Sequence, residues 1–472
     1  MHPGAASTGR RNLFRRKDAL LSTPAKHLVS LTVPQPRGRL LIITYHYPPD
    51  GAVGGLRWAG LSKYLVRLGW EVHVLTTAAG PNDTAVAGLH RHHCPRRRVL
   101  NDVYASVATR VRRSAVNIGA SKQPAAEAKA GQPGRLAMMV ENLRMAGRLA
   151  IAFPDVGRGW ILRAALTARK LLREQPFDAV ISSGPPHSAH LAGLLTTLGS
   201  AVPHFVDMRD PWRGSPDFQL LGVKHRWMQA MVRPLERILF RRARAVVVTT
   251  REFAEELRRT EPRLEVCHVS NGTDIEGLPA RTTDRFEELS IAYVGTLYCG
   301  RSFSTLIAAL GGFAQDRPCD AARIKLRIAG SIPPADAEQL RAELATYGLT
   351  DMVELYGTIP RRDALELLNR SHLALVLAQR QPTQVPAKLY ECIGLGVPTL
   401  VITETNSASA REARRIGGIV VESGDAVAMR RLLEDLVAGR LPDAIVPAAP
   451  ISHGVLAREV DRILRPGPLR AV

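Results

Sequence analysis

Apolar positions along this chain fall into short blocks that alternate between two periods. Leu40-Leu-Ile-Ile-Thr-Tyr45 is a continuous apolar run of buried-strand length. A glycine loop, Asp50–Gly55, leads into Leu56–Leu68, where apolar residues recur at helical spacing until Gly69 stops them. Glu71–Thr76 predicts the next strand. The rhythm resumes with a strand over Phe177–Ser183, a helix over His187–Leu198, and strands over Pro203–Val206, Ala245–Thr249 and Glu265–Val269. It pauses at the polar stretch Thr282–Glu288 and restarts. The second series has strands at Ser290–Val294, Ile324–Ala329, Val353–Tyr356, Leu373–Leu377, Val397–Ile402 and Gly418–Val421. Its helices fall at Ser302–Phe313, Ala335–Thr346, Arg361–Leu368 and Ala426–Ala438, and a last helical pattern, Val455–Leu464, follows the Pro- and Ala-rich run Leu441–Pro450.

Alternating strands and helices build doubly wound parallel sheets, and 472 residues exceed one typical core. The expected fold class is therefore α/β, with two Rossmann-like doubly wound domains facing across a cleft. The expected divisions are a disordered basic tail over 1–37, a first domain over 38–281, a second over 282–440, and a linker with a C-terminal helix over 441–472. A basic insertion over about 95–152 interrupts the first domain. Open α/β sheets bind ligands beyond the carboxyl ends of their strands, so two such domains would share one cleft.

The segment Val385-Pro-Ala-Lys-Leu-Tyr-Glu-Cys-Ile-Gly-Leu-Gly-Val-Pro-Thr-Leu400 adds chemistry to this frame. It predicts a short helix opening near Pro386, with Lys388 and Glu391 on one face. A cation, a carboxylate and a helix N-terminus suit a phosphorylated sugar ring; a surface ion pair is the plainer reading.

Net charge is +21, and most of the excess lies between Arg91 and Arg173. Such a field attracts nucleic acid, anionic lipid or anionic metabolites alike. Leu136–Ile151 is amphipathic with Arg144 and Arg148 four apart, which suits either an anionic membrane surface or packing on the first domain. No apolar run is long enough to span a bilayer, and the N-terminus lacks a signal core. The five cysteines form no CxxC and are odd in number, which points to a reducing, cytoplasmic setting without a disulfide framework or zinc site.

Seven motifs in order carry a family resemblance. They are Tyr45-His-Tyr-Pro-Pro-Asp-Gly-Ala-Val-Gly-Gly-Leu-Arg-Trp58, Ser183-Gly-Pro-Pro-His-Ser188, Asp207-Met-Arg-Asp-Pro-Trp212, Ser270-Asn-Gly-Thr-Asp274, Tyr293-Val-Gly-Thr-Leu-Tyr298, Tyr356-Gly-Thr-Ile359 and Pro386-Ala-Lys-Leu-Tyr-Glu391. From about residue 39 to 440 the chain resembles a GT-B glycosyltransferase of family 4, which is retaining and sugar-nucleotide-dependent. The resemblance implies that Gly54 and Gly55 lie near the donor diphosphate or the acceptor, with Arg57 in the same anionic zone. Gly295, Thr296, Arg301 and Lys388 would hold the donor phosphates, and Glu391 the ribose hydroxyls. Two cations and helix N-termini can stabilise a departing nucleoside diphosphate without metal, and no Asp-x-Asp pair occurs, so neither metal nor further cofactor is expected beside the nucleotide-sugar co-substrate. On the acceptor side, His187 at a helix start and Asp210 are candidates for catalysis, and Asp207, Arg209 and Trp212 for acceptor contact. Each has a structural alternative: a core histidine, and an ion pair of Arg209 with Asp207 or Asp210. The resemblance departs at Thr383, where the family has a second glutamate.

The expected activity is transfer to a glycan or lipid-linked acceptor at the inner membrane leaflet, in cell-surface polysaccharide or glycolipid synthesis. A nucleotide-sugar epimerase on the same fold is the rival. A nucleic-acid-binding role rests on charge alone, without a supporting motif and with only 5% aromatic residues.

Overall fold

The computed structural model describes residues 37–51, 53–80, 86–98, 147, 153–214, 225–298 and 300–465. Nearly all of the expected tail and the amphipathic segment over 136–151 lie outside the described residues.

The first sheet has seven strands: β1 (Gly38–Thr44), β2 (Trp70–Thr76), β3 (Leu89–His93), β4 (Ala179–Gly184), β5 (His204–Met208), β6 (Ala245–Val248) and β7 (Val266–His268). They lie in the order β3-β2-β1-β4-β5-β6-β7. The second sheet has six: β8 (Leu289–Val294), β9 (Ile324–Ala329), β10 (Val353–Gly357), β11 (Leu373–Leu377), β12 (Thr399–Thr403) and β13 (Ile419–Glu422), ordered β10-β9-β8-β11-β12-β13. Every pairing is parallel. Central strands such as β1, β11 and β12 are almost wholly buried apolar runs, as sheets covered on both faces require. The α/β, two-Rossmann architecture is therefore present.

Strand order reverses between β1 and β4 in the first sheet and between β8 and β11 in the second. These are the switch points where ligand crevices open. The final helix, His453–Leu464, returns to the first sheet: Leu456, Ala457, Val460 and Leu464 join its core, and Trp70 donates to Asp461 at 2.9 Å.

Several elements have no counterpart in the sequence pattern. The helix Ile161–Glu174 buries Ala164, Ala165, Ala168 and Leu171, so its inner face carries small residues instead of a strong apolar stripe. The helix His225–Arg242 contains Pro234, a breaker signal that the packed context overrides. Strand β3 reads Leu-His-Arg-His-His and forms because it pairs with β2 at the sheet edge.

Candidate active site

A cleft with about 1030 Å³ of open space lies where the two switch points meet. From the first sheet come His46 and Gly54 after β1, Pro185 and Pro186 after β4, Arg209 and Asp210 after β5, and Asn271 after β7. Facing them are Tyr298 and Arg301 after β8, and Gln381 and Gln384 to Ala387 after β11. A second hollow of about 930 Å³ adjoins it, sharing Arg209, Asn271 and Ala387, and contains Arg361 and Glu391. Thr250 donates to the Thr383 carbonyl at 2.8 Å and Asn271 to the Val385 carbonyl at 3.4 Å, tying the two halves at the cleft floor.

The helix Ala387–Gly394 begins in the cleft, where Pro386 precedes it and its first N–H groups have no helical partner. Glu391 is buried, and both of its carboxylate oxygens are occupied. Lys388 Nζ donates to Oε2 at 2.7 Å, and Arg361 donates to Oε1. Burial alone would raise the Glu391 pKa; the two cations outweigh it and hold the carboxyl below its ordinary value. Arg301 donates to Gln381 at 2.8 Å and lies over the Tyr298 ring at 4.2 Å, so the guanidinium is braced on two sides at the cleft wall. Asp210 has no hydrogen-bonding partner for its side chain among the described residues. Burial pushes its carboxyl above the ordinary range, against the pull of Arg209 and Arg301.

The cleft thus holds Arg209, Arg301 and Asp210 beside one helix N-terminus, and the adjoining hollow holds Arg361 and Glu391, with Lys388 bonded to Glu391. Cations beside a helix N-terminus are the chemistry that anionic phosphate groups take, while both Glu391 oxygens are engaged by Lys388 and Arg361.

The rest of the chain fits the same picture. Residues 54–272 match the family described as the glycosyl transferase 4-like domain, and residues 280–449 match glycosyl transferases group 1. The chain belongs to the GT-B glycosyltransferases. Solved structures agree with the fold of this glycosyltransferase. Anabaena HepE, in complex with UDP and glucose, superposes with a TM-score of 0.58 at 14% identity, covering 90% of this chain and 99% of that one. A glycosyltransferase from Rickettsia africae gives 0.55 at 11%, covering 91% and 98%. Sucrose-phosphate synthase from Thermosynechococcus elongatus gives 0.56 at 15%, covering 91% and 95%. No curated protein matches the sequence.

Within this glycosyltransferase the expected site residues separate into two groups. Gly54, Arg209, Asp210 and Arg301 line the main cleft, Glu391 lines the adjoining hollow, and Lys388 reaches that hollow through its bond to Glu391. A Cβ at Gly54 would sit 2.9 Å from Arg209 Nη2, so this glycine makes room for the guanidinium.

Arg57 also lines the hollow, and the others form the wall. Asp207 is fully buried: Oδ1 accepts from Arg57 at 3.3 Å, and Oδ2 accepts from Trp58 and Ser183 at 2.7 Å each. Its expected acceptor contact is corrected to a structural one, and Arg57, held also by the Ser270 carbonyl at 2.6 Å, is its counter-ion. The ion pair considered for Arg209 is likewise absent; its guanidinium donates to the Pro185 carbonyl. Trp212 is fully buried and cannot stack on a sugar; it stacks on His187 with ring centroids 5.2 Å apart. His187 is only 1% exposed and is not among the cleft-lining residues as Pro185 and Pro186 are, and both of its ring nitrogens are buried without a hydrogen-bond partner. Burial, then His190 and Arg209, hold it neutral, its pKa well below the ordinary value. Gly55 is also buried: a Cβ there would lie 2.8 Å from the Tyr47 Cα, so it permits the turn of the loop. Gly295 and Thr296 sit beside the cleft. Gly330 makes room for the Gly295 backbone, since a Cβ on Gly330 would come 1.9 Å from the Gly295 oxygen, and the Thr296 carbonyl accepts from Tyr293 at 3.2 Å.

Arg361 and the pair of His46 with Asp50, 2.5 Å apart, were not singled out by sequence reasoning. A signal for Arg361 was present. It opens the helix Arg361–Arg370, where a cation opposes the helix dipole and gains from an anionic partner nearby.

Proposed function

We propose that this glycosyltransferase moves a sugar from a nucleotide-sugar donor, held by the loops after β8, β10 and β11, to a glycan or lipid-linked acceptor held by the first sheet. The observation that carries this reading is the buried Glu391, clasped by Lys388 and Arg361, within the short helix that opens into the cleft. A ribose would exchange its hydroxyls for one of those cations on Glu391. The freed cation, with Arg301, would meet the diphosphate. A UDP-sugar is the favoured donor, because HepE of the same fold is described with UDP and with UDP-glucose.

Transfer proceeds with retention, as in family 4, and without a metal. The acceptor oxygen forms its bond to the anomeric carbon on the face that the diphosphate leaves. The carbon–oxygen bond to phosphate breaks with its electrons on the diphosphate, and the acceptor proton passes to a departing phosphate oxygen. Asp210 accepts a hydrogen bond from the acceptor hydroxyl and orients it; Arg301 and Lys388 stabilise the leaving charge. A net charge of +21 supports a place at an anionic membrane surface, the setting of lipid-linked acceptors, and no described helix is long and apolar enough to cross a membrane. Nucleic acid is not an expected partner.

A thermal-shift panel of UDP-, GDP-, ADP- and dTDP-sugars tests the reading. A donor at 100 times its Kd stabilises the folded state by about 2.7 kcal/mol, and the UDP-sugars should give the largest rise in Tm. If no nucleotide sugar shifts the transition, the donor site is misassigned. Conversion of the donor sugar without acceptor would point to an epimerase.

A further inference from the structure

We propose that Glu71, His73 and His90 form a binding site for one divalent transition-metal ion of the zinc class, on the edge of the first sheet and apart from the cleft. Strands β2 and β3 run parallel with His73 opposite His90. Side chains two apart on a strand share a face, which brings Glu71, His73, His90 and His92 together. The ligand atoms of Glu71, His73 and His90 all lie within 4.8 Å of one another. His73 Nε2 is 3.1 Å from Glu71 Oε1, and His90 Nε2 is 3.5 Å from the same oxygen. A tetrahedral ion with arms of about 2.0–2.1 Å places its ligand atoms about 3.3 Å apart, so little movement is needed.

The surroundings are those a metal site needs. His73 Nδ1 lies 2.9 Å from His92 Nε2, and a proton donated along that line leaves the His73 Nε2 lone pair for the ion. Arg39 holds Glu71 Oε2 at 2.7 Å and leaves Oε1 directed at the histidines. Two imidazoles and a carboxylate suit zinc better than magnesium, which prefers an oxygen shell. Three ligands leave a fourth position for water. The site joins a polar edge strand to its neighbour, on elements that bring no residue to the cleft, so its role is to hold β3 in register.

Tag-free protein, stripped with a chelator, is titrated with ZnCl₂ by calorimetry and followed by thermal unfolding. One equivalent should bind and raise Tm. His90→Gln, at an exposed position, and Glu71→Gln should each weaken binding by about tenfold or more and remove the zinc-dependent rise. His92→Gln should weaken it by a smaller factor, acting through His73. Absence of zinc binding, equal binding by wild type and both variants, or equal affinity for MgCl₂ would overturn the site. None of these results bears on donor binding.

Discussion

Replacing Asp207 by alanine separates a structural carboxylate from an acceptor-binding one. The carboxylate accepts from Arg57, Trp58 and Ser183 and has no exposed surface. Its removal leaves Arg57, itself only 5% exposed, with carbonyl acceptors but no counter-charge. Breaking a buried ion pair from one side costs about 3–5 kcal/mol. The indole N–H of Trp58 and the Ser183 hydroxyl also lose their acceptor, at about 1–3 kcal/mol each where no other partner is found. A loss on the order of 5 kcal/mol should lower Tm by about 10 °C or more in a domain of this size. Asp207→Asn keeps one acceptor oxygen and should lose less, about 3 kcal/mol. Differential scanning fluorimetry measures both, alongside transfer activity below the transition. A variant that melts within about 2 °C of wild type yet transfers no sugar would refute the structural assignment and return Asp207 to the acceptor site.

Further outcomes follow from the same geometry. Glu391→Ala should abolish the donor-induced thermal shift, and an unchanged shift would disprove the ribose contact. Lys388→Ala should weaken binding of the nucleoside diphosphate and barely affect a free nucleoside, as isothermal calorimetry would show. Asp210→Asn should lower kcat by about 10²-fold with the donor shift intact, the signature of a group acting on the acceptor; equal kcat would remove it from the mechanism. His190, His204 and His453 are buried, and burial lowers their pKa values to about 3, 3 and 4. The folded state refuses protons that the unfolded chain takes up near 6.5, so stability falls as pH drops below that value. From pH 7.5 to 5.5 each should contribute a loss of about 1.4 kcal/mol, read from denaturant midpoints. A flat profile over that window would contradict the assignment.

The two-sheet architecture was legible because central parallel strands are buried on both faces. Runs such as Leu40–Ile43 and Leu373–Leu377 therefore appear as uninterrupted apolar blocks. The donor helix was legible for a local reason: Lys388 and Glu391 lie three apart, and helical geometry alone puts them on one face. Edge strand β3 was not, since its partners decide its conformation and its own residues are polar. The cysteine pattern argued against a zinc site, but it carries no information about histidines that meet only when β3 docks on β2.

Local spacing could name the residues able to do the chemistry, but not the direction in which each side chain faces. Asp207 and Asp210 are three residues apart, one inside β5 and the other just after it. One is fixed inside by Arg57, 150 residues away in sequence, and the other is left facing the cleft. His187 and the prolines just before it divide in the same way, the ring in the wall and Pro185 and Pro186 on the surface of the cleft. Arg361 joins Glu391 across thirty residues because the start of one helix packs beside the middle of the other. By itself the sequence determined the periodicities, the glycine loops and the charged residues beside helix starts, because each depends only on near neighbours. Which of those charges neutralise one another in the core and which remain to meet a substrate was decided by packing between distant segments, since burial makes an unpaired charge costly and only the folded chain supplies the partner.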